Sequence, residues 1–166
     1  MFRNFVTGAV ALLVLLAPTS AGAATSNVSD ARRDNYSPGF DITHVRYTNQ
    51  RSKIVSTVWM RRLPERTSAD FQIASRTFRT TYGVVVRRLD GRLRSQLWRY
   101  AIEGPGQRVA CDLTVTWSVA RKSIRVSVPS SCLDMKTAVV KMTTYISRRG
   151  AVAWSDASPT RKVWRG

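Results

Sequence analysis

From Asp41 onward the chain is a succession of short segments rich in Val, Ile, Thr, Tyr and Trp, and none has a sustained apolar pattern at helical spacing. Turn residues separate these segments, for example at Asn49-Gln50, Asp90-Gly91 and Gly104-Pro105-Gly106. Many short strands at such spacing are typical of a single antiparallel β-sandwich or flattened barrel. The predicted strands are 42–48, 53–63, 70–79, 81–89, 92–102, 108–119, 123–129, 137–147 and 151–154.

The N-terminal segment has the pattern of a signal peptide. Arg3 precedes an apolar run of about 12 residues that ends at Pro18, and about 20 would be needed to span a bilayer. Ala21-Gly22-Ala23 fits the small-x-small rule of signal peptidase, and Gly22-Ala23-Ala24 is the neighbouring alternative. We therefore expect a secreted or extracytoplasmic protein with no transmembrane segment in its mature chain.

The remaining chain divides into two parts. Residues 25–40 hold Ser, Asn, Asp, Arg and a Pro-Gly pair with little periodicity, which predicts a flexible leader. A length of 166 residues allows one domain after it. The predicted organisation is a helical signal peptide at 1–24, a flexible leader at 25–40 and an all-β sandwich at 41–166.

The dipeptide Asp90-Gly91 predicts a two-residue type I′ turn, because both central positions of that turn require positive φ. Facing residues then have numbers that sum to 181. One face of this hairpin is apolar enough to belong to the core, and it carries Tyr82, Val84, Val86, Leu93 and Leu97. The opposite face carries Val85, Arg87, Arg92, Arg94, Gln96 and Trp98.

A second predicted hairpin joins Leu113–Val119 to Ile124–Val128 through a turn centred on 121–122, so that facing numbers sum to 243. This register separates apolar from polar side chains, and it also places Cys111 opposite Cys132. Export and an even cysteine count independently favour a disulfide between these two residues. The disulfide would close a loop of about 22 residues and stabilise the fold by roughly 3 kcal/mol.

The polar face of the first hairpin is the predicted ligand-binding site. Its register sets Arg87 opposite Arg94, with Arg92 nearby, and like charges facing each other across strands are destabilising. An anion between the guanidinium groups would offset the repulsion through forked hydrogen bonds. Trp98, on the same face, offers a flat ring for a sugar or base. In the alternative interpretation the arginines splay into water and Trp98 packs under a loop or another sheet.

Catalytic and metal-binding residues are not predicted. His44 is the single histidine, and with two cysteines it leaves no multi-ligand zinc site or iron–sulfur cluster. No Gly-x-Ser-x-Gly motif occurs, and a disulfide occupies both cysteines. The ten acidic residues are scattered, and no two stand out as a catalytic pair. An enzyme is the less favoured interpretation.

Three stretches resemble small secreted actinobacterial proteins, namely Asp41–Tyr47, Val128–Leu133 and Ser158–Gly166. More distantly, strands followed by Val-Pro-x-Ser-x-Leu and a late aspartate, Asp156, resemble DOMON and family 9 carbohydrate-binding sandwiches. The resemblance implies a β-sandwich that binds a sugar or another small ligand. It implies no cofactor here, because Met and His are not placed as a haem pair and the acidic calcium-binding cluster is lacking.

The formal charge is the strongest pointer to a partner. The chain has 27 Lys and Arg against 10 Asp and Glu, a net charge of +17 that falls to +16 without Arg3. Such a charge attracts anionic partners over long distances. We expect a non-enzymatic protein that binds an anionic cell-envelope polymer or acidic polysaccharide; nucleic acid is possible, but no recognition motif is present. The alternatives are a neutral-carbohydrate-binding module and a cell-envelope hydrolase with an unrecognised carboxylate site.

Overall fold

The computed structural model describes residues 23–30, 41–134, 139–148 and 155–165. Apart from its last two residues, the predicted signal peptide lies outside this part of the chain. No helix among the described residues is long and apolar enough to cross a membrane. The strands are β1 (Ala24–Ser29), β2 (Ile42–Asn49), β3 (Lys53–Met60), β4 (Thr67–Ser75), β5 (Thr80–Leu89), β6 (Arg92–Ala101), β7 (Gln107–Val109), β8 (Thr114–Ser118), β9 (Ser123–Pro129), β10 (Val139–Arg148), β11 (Ser155–Ala157) and β12 (Arg161–Trp164).

These strands form two antiparallel sheets, which confirms the predicted all-β sandwich. The five-stranded sheet has the order β1-β2-β3-β9-β8, and the seven-stranded sheet has the order β11-β10-β4-β5-β6-β7, with β12 also pairing with β10. Alternate residues of each strand face inward, as the two-residue period of a strand requires. Both sheets contribute buried side chains to one core, among them Val45, Tyr47, Val58, Phe71, Val84, Leu97, Val126 and Ile146.

The predicted β5–β6 hairpin is confirmed in turn type and register. Asp90 and Gly91 have φ values of 49° and 74°, as a type I′ turn requires. Arg87 faces Arg94 in the ladder. The predicted core residues of the hairpin are buried except Leu93, which is 39% exposed. Leu93 lies near the turn, opposite Arg88, where the core no longer covers the hairpin.

The β8–β9 hairpin keeps the predicted faces but not the predicted register. Ser118 faces Ser123, so facing numbers sum to 241 rather than 243. The turn spans four residues, 119–122, and is closed by a hydrogen bond from the Lys122 amide to the Val119 carbonyl (3.0 Å). The Ser118 hydroxyl accepts a second hydrogen bond from the Arg121 amide (3.2 Å). Because the shift is two residues, the side chains of the paired strands stay on their predicted faces, whereas Val119 falls in the turn and is 52% exposed.

The predicted disulfide between Cys111 and Cys132 is present, with a Cα–Cα distance of 5.8 Å. It lies outside the β8–β9 ladder, because Cys132 ends a short 3-10 turn that follows β9. Cys111 lies between β7 and β8, which belong to different sheets, so the single strand predicted at 108–119 is wrong. The Leu113 amide donates to the Cys111 carbonyl (3.0 Å), and this tight turn interrupts the strand.

The flexible leader predicted at 25–40 is wrong for its first residues, because Ala24–Ser29 forms β1 and pairs with β2. Val28 is 2% exposed and faces Val45 of β2. One buried valine among small polar residues gives too weak an alternation to predict a strand from the sequence. The strand forms because its backbone hydrogen-bonds to the edge of β2. Residues 31–40 lie outside the described part of the chain.

Strands β11 and β12 both pair with β10, and they are tied to β2 of the other sheet. The Asp156 carboxylate accepts a hydrogen bond from the Ile42 amide (2.6 Å), and the Asn49 side-chain amide donates to the Val163 carbonyl (3.1 Å). The buried hydroxyls of Tyr47 and Ser158 are 2.6 Å apart. These bonds run along the length of β2 and join the two sheets along one side of the sandwich. The strand predicted at 151–154 lies outside the described residues.

Candidate functional site

The structure brings three of the four predicted site residues together on the outer face of the seven-stranded sheet. Arg87 and Arg94 face each other in the ladder, and Gly83, four residues before Arg87 on the same strand, faces Trp98. All three predicted residues line an open depression of about 430 Å³. The remaining lining residues are Val85, Leu89, Gln96 and Tyr100. The fourth, Arg92, faces Leu89 beside the turn, and it lies outside the depression.

Among the described residues, no acid forms an ion pair with the two arginines of this depression. In the part of the chain that the structure describes, the ion pairs join Arg61 to Asp41 (2.9 Å) and Arg99 to Asp134 (3.8 Å). Arg87 and Arg94 take part in neither, and both side chains are exposed. The like-charge pairing predicted from the sequence is therefore present, and no ion pair among the described residues compensates it.

One acidic residue on the same outer face was not singled out from the sequence. Asp70 of β4 faces Val85, and its Oδ1 atom is buried without a hydrogen-bond partner among the described residues. Burial raises the pKa of Asp70, while a hydrogen bond with the side chain of Gln72 opposes that rise. A Cβ atom at Gly83 would lie 3.3 Å from Oδ1 and 3.2 Å from the Tyr100 ring, so the glycine leaves room for both groups.

A second basic groove, missed by the sequence analysis, lies on the outer face of the five-stranded sheet. Arg46 of β2 faces Thr57 of β3, and Thr57 in turn faces Arg125 of β9. All three side chains line a groove of about 260 Å³. The other lining residues are Thr48, Gln50, Val55, Trp59, Thr116, Ser118, Arg121 and Ser123. The lining includes three arginines and five hydroxyl groups but no carboxylate.

Two neighbours hold Arg46 in position at the wall of this groove. Its Nε atom donates a hydrogen bond to the Asn27 side-chain carbonyl (2.9 Å), so β1 contributes to the site. Its guanidinium carbon lies 5.7 Å from the centroid of the Trp59 ring, within cation–π range. The two contacts restrict a long side chain that would otherwise sample many rotamers. The arginine is thus partly pre-organised.

His44 stacks on Trp59 at the end of the groove, with ring centroids 4.1 Å apart and ring planes 10° from parallel. Burial lowers the pKa of His44, and the nearby positive charge of Arg46 lowers it further. Both effects favour the neutral form of the ring. Among the described residues no group of three or more His, Cys, Asp or Glu side chains could hold a metal ion.

The two most deeply buried carboxylates have structural roles. Asp41 is 1% exposed and pairs with Arg61, and the Asp156 oxygens accept hydrogen bonds from the backbone amides of Ile42 and Ala157. Of the described acids, none lines either basic depression. Neither depression therefore presents the pair of carboxylates that glycoside hydrolysis uses.

Comparison of the chain with protein-family models, with curated proteins and with solved structures gives no significant match. Since a β-sandwich supports many unrelated functions, the fold does not assign one. Function has to be inferred from the chemistry of the two basic surfaces.

Proposed function

We propose that the protein is exported and binds an anionic polymer of the cell envelope, without catalysis, through the β5–β6 face. The observation that carries this proposal is the direct pairing of Arg87 with Arg94 beside Trp98, with no carboxylate paired to either arginine in the described chain. A phosphate or carboxylate between the two guanidinium groups would relieve their repulsion through charge-assisted hydrogen bonds.

The shape of the surface favours a polymer over a small molecule. The depression is open to solvent, and the exposed Arg92 extends the row of positive charge toward the turn. A chain with regularly spaced anionic groups can contact several such arginines at once. The net charge, +17 for the full chain and +16 without Arg3, would accelerate the encounter over a longer range.

Two features support an extracytoplasmic location. The first is the signal-peptide pattern at the N-terminus of the sequence. The second is the disulfide between Cys111 and Cys132, a bond that persists in oxidising compartments and is rare in the cytosol. Anionic envelope polymers are found in the compartment that both features indicate.

The test is co-sedimentation of the mature protein with purified cell wall across a salt series, with an insoluble neutral glucan as the control. We expect wall binding that falls steeply as salt rises, because contacts to polymer phosphates release counterions. The triple variant Arg87→Gln, Arg92→Gln, Arg94→Gln should lose most of the binding. The control is a second triple variant, Arg51→Gln, Arg62→Gln, Arg66→Gln, which has the same net charge but leaves the β5–β6 face intact. If both variants lose the same amount, binding comes from net charge and the β5–β6 face is not the site.

Neutral-carbohydrate recognition is the second candidate, and the position of Trp98 favours it. The half-buried ring lies in the open depression beside Gln96, an arrangement suited to stacking on a sugar. This function predicts retention on the neutral glucan at high salt and loss of retention in Trp98→Ala. Retention that disappears with salt in the same experiment would exclude it.

A further inference from the structure

We propose that the groove between Arg46 and Arg125, on the sheet opposite the β5–β6 face, is a separate binding site for a sugar or polyol that carries a phosphate or sulfate ester. The inference goes beyond the proposed function, since it concerns other residues, another sheet and a small ligand. It rests on three properties of the groove: the position of its arginines, the hydroxyl groups of its lining and its size.

The two arginines are placed for an anion with more than two acceptor oxygens. They lie on β2 and β9, on either side of Thr57, and two strand spacings separate them by roughly 9–10 Å at the backbone. Each guanidinium can offer a fork of two parallel hydrogen bonds. One carboxylate satisfies one fork, whereas a tetrahedral phosphate or sulfate ester presents three terminal oxygens to two forks. The Thr57 hydroxyl on the groove floor offers a further donor.

The rest of the lining matches the hydroxylated part of such a ligand. Five Ser and Thr side chains surround the arginines, together with the amide of Gln50. Hydroxyl and amide groups both donate and accept hydrogen bonds, as the hydroxyls of a sugar or polyol do. Trp59 and Val55 are the apolar residues of the lining, and they give the groove one limited surface for a sugar's C–H groups.

The size of the groove limits the occupant to one small unit. Its volume of about 260 Å³ is below the range of about 300–1,000 Å³ that is usual for drug-sized ligands. The partial pre-organisation of Arg46 by Asn27 and Trp59 also helps a small ligand with few contacts, because less entropy is lost on binding. An extended polymer could place only one of its units in a groove of this volume.

The test is a titration of the mature protein with glucose 6-phosphate, glucose 6-sulfate, glucose and inorganic phosphate, followed by calorimetry and by the NMR signals of the His44 ring. His44 is the single histidine of the chain, so its signals are unambiguous. We expect one or both esters to bind at least about tenfold more tightly than glucose or phosphate alone. Bound anion should also raise the pKa of His44, because it offsets the charge of Arg46. Tighter binding of one of the two esters shows whether the site prefers a phosphate or a sulfate group.

The variants locate the site. Arg46→Gln and Arg125→Gln should each weaken ester binding about tenfold or more, and Arg46→Lys should restore only part of the loss because it lacks the fork. Asn27→Ala should weaken binding less, since it removes only the support of Arg46. Arg66→Gln, which changes the same charge in an exposed turn, is the control. Equal affinity for all the anions, or equal losses in Arg125→Gln and Arg66→Gln, would overturn the proposal, as would the absence of binding by either ester.

Discussion

Arg87 of β5 lies directly opposite Arg94 of β6, in a hairpin whose described surroundings place no carboxylate within ion-pair distance of either residue. Directly opposed like charges destabilise a sheet, and cross-strand pairs contribute about 0.2–1 kcal/mol. Arg94→Thr should therefore increase the free energy of unfolding by an amount in that range while weakening binding to the wall polymer. Denaturant unfolding and co-sedimentation measure the two effects on the same protein.

Salt separates this electrostatic gain from an effect of strand propensity. The increase in the free energy of unfolding of Arg94→Thr should become smaller as salt screens the repulsion between the arginines. An increase that came from the higher strand propensity of threonine would persist at high salt. Arg108→Thr, on the edge strand β7, provides a comparison in which an exposed strand arginine has no arginine opposite it. A gain that is independent of salt would show that the pair is not under electrostatic strain.

The disulfide between Cys111 and Cys132 should supply a substantial part of the stability. Its sequence separation of 21 residues corresponds to roughly 3 kcal/mol in the chain-entropy model. Replacement of both cysteines by serine should lower the free energy of unfolding by about that amount, as should reduction of the wild-type protein. Denaturant unfolding with and without a thiol reductant measures the loss. The loss belongs to the disulfide bond if reduction destabilises the wild type as much as the double substitution does and leaves the double variant unchanged.

Local signals in the sequence were sufficient to predict the faces of both hairpins. The Asp90-Gly91 turn fixed the β5–β6 register because its positive φ values allow few alternatives. The β8–β9 turn lacks such a dipeptide, and hydrogen bonds involving Ser118 and Lys122 selected a four-residue loop instead. Alternation cannot distinguish registers that differ by two residues, so the faces were right and the pairing was not.

The Arg46 groove depends on strand neighbours that no local pattern reveals. Arg46, Thr57 and Arg125 are far apart in the sequence, and they meet because β3 pairs with both β2 and β9. The contact from Asn27 adds a strand that was expected to be flexible. The β5–β6 site could be predicted from the sequence because its arginines belong to one hairpin. The groove required the order of strands in the sheet, which is set by long-range packing.

Asp70 should make the protein less stable as the pH rises through the acidic range. Burial raises its pKa above the usual 3.8, so the folded protein holds the proton more tightly than the unfolded chain does. Between pH 3.8 and the higher folded value the folded state binds more protons, and its stability falls with increasing pH. Asp70→Asn cannot ionise and should be the more stable protein at pH 7, with a difference that narrows toward pH 4.

Denaturant midpoints measured from pH 4 to pH 7 test this dependence. Asp112→Asn removes a carboxylate from an exposed position and controls for the change in net charge. A stabilisation of Asp70→Asn that is equal to that of the control at every pH would contradict the effect of burial. The same variant would also report whether Asp70 opposes anion binding on the outer face that it shares with Arg87.

Among the side chains that join β2 to the other sheet, Asp156 should be one whose loss strongly weakens the contact. Its two oxygens accept hydrogen bonds from the backbone amides of Ile42 (2.6 Å) and Ala157 (2.9 Å), and the residue is buried. Asp156→Ala leaves the buried Ile42 amide without its partner, so the free energy of unfolding should fall by about 3 kcal/mol. Ser158→Ala removes the hydroxyl paired with Tyr47 and should lower the free energy of unfolding by less than Asp156→Ala does. Glu65→Ala, at an exposed position, should lower it by less than about 0.5 kcal/mol. Denaturant unfolding of the three variants measures this order, and a loss in Asp156→Ala no greater than that in Glu65→Ala would show that the carboxylate does not hold the sheets together.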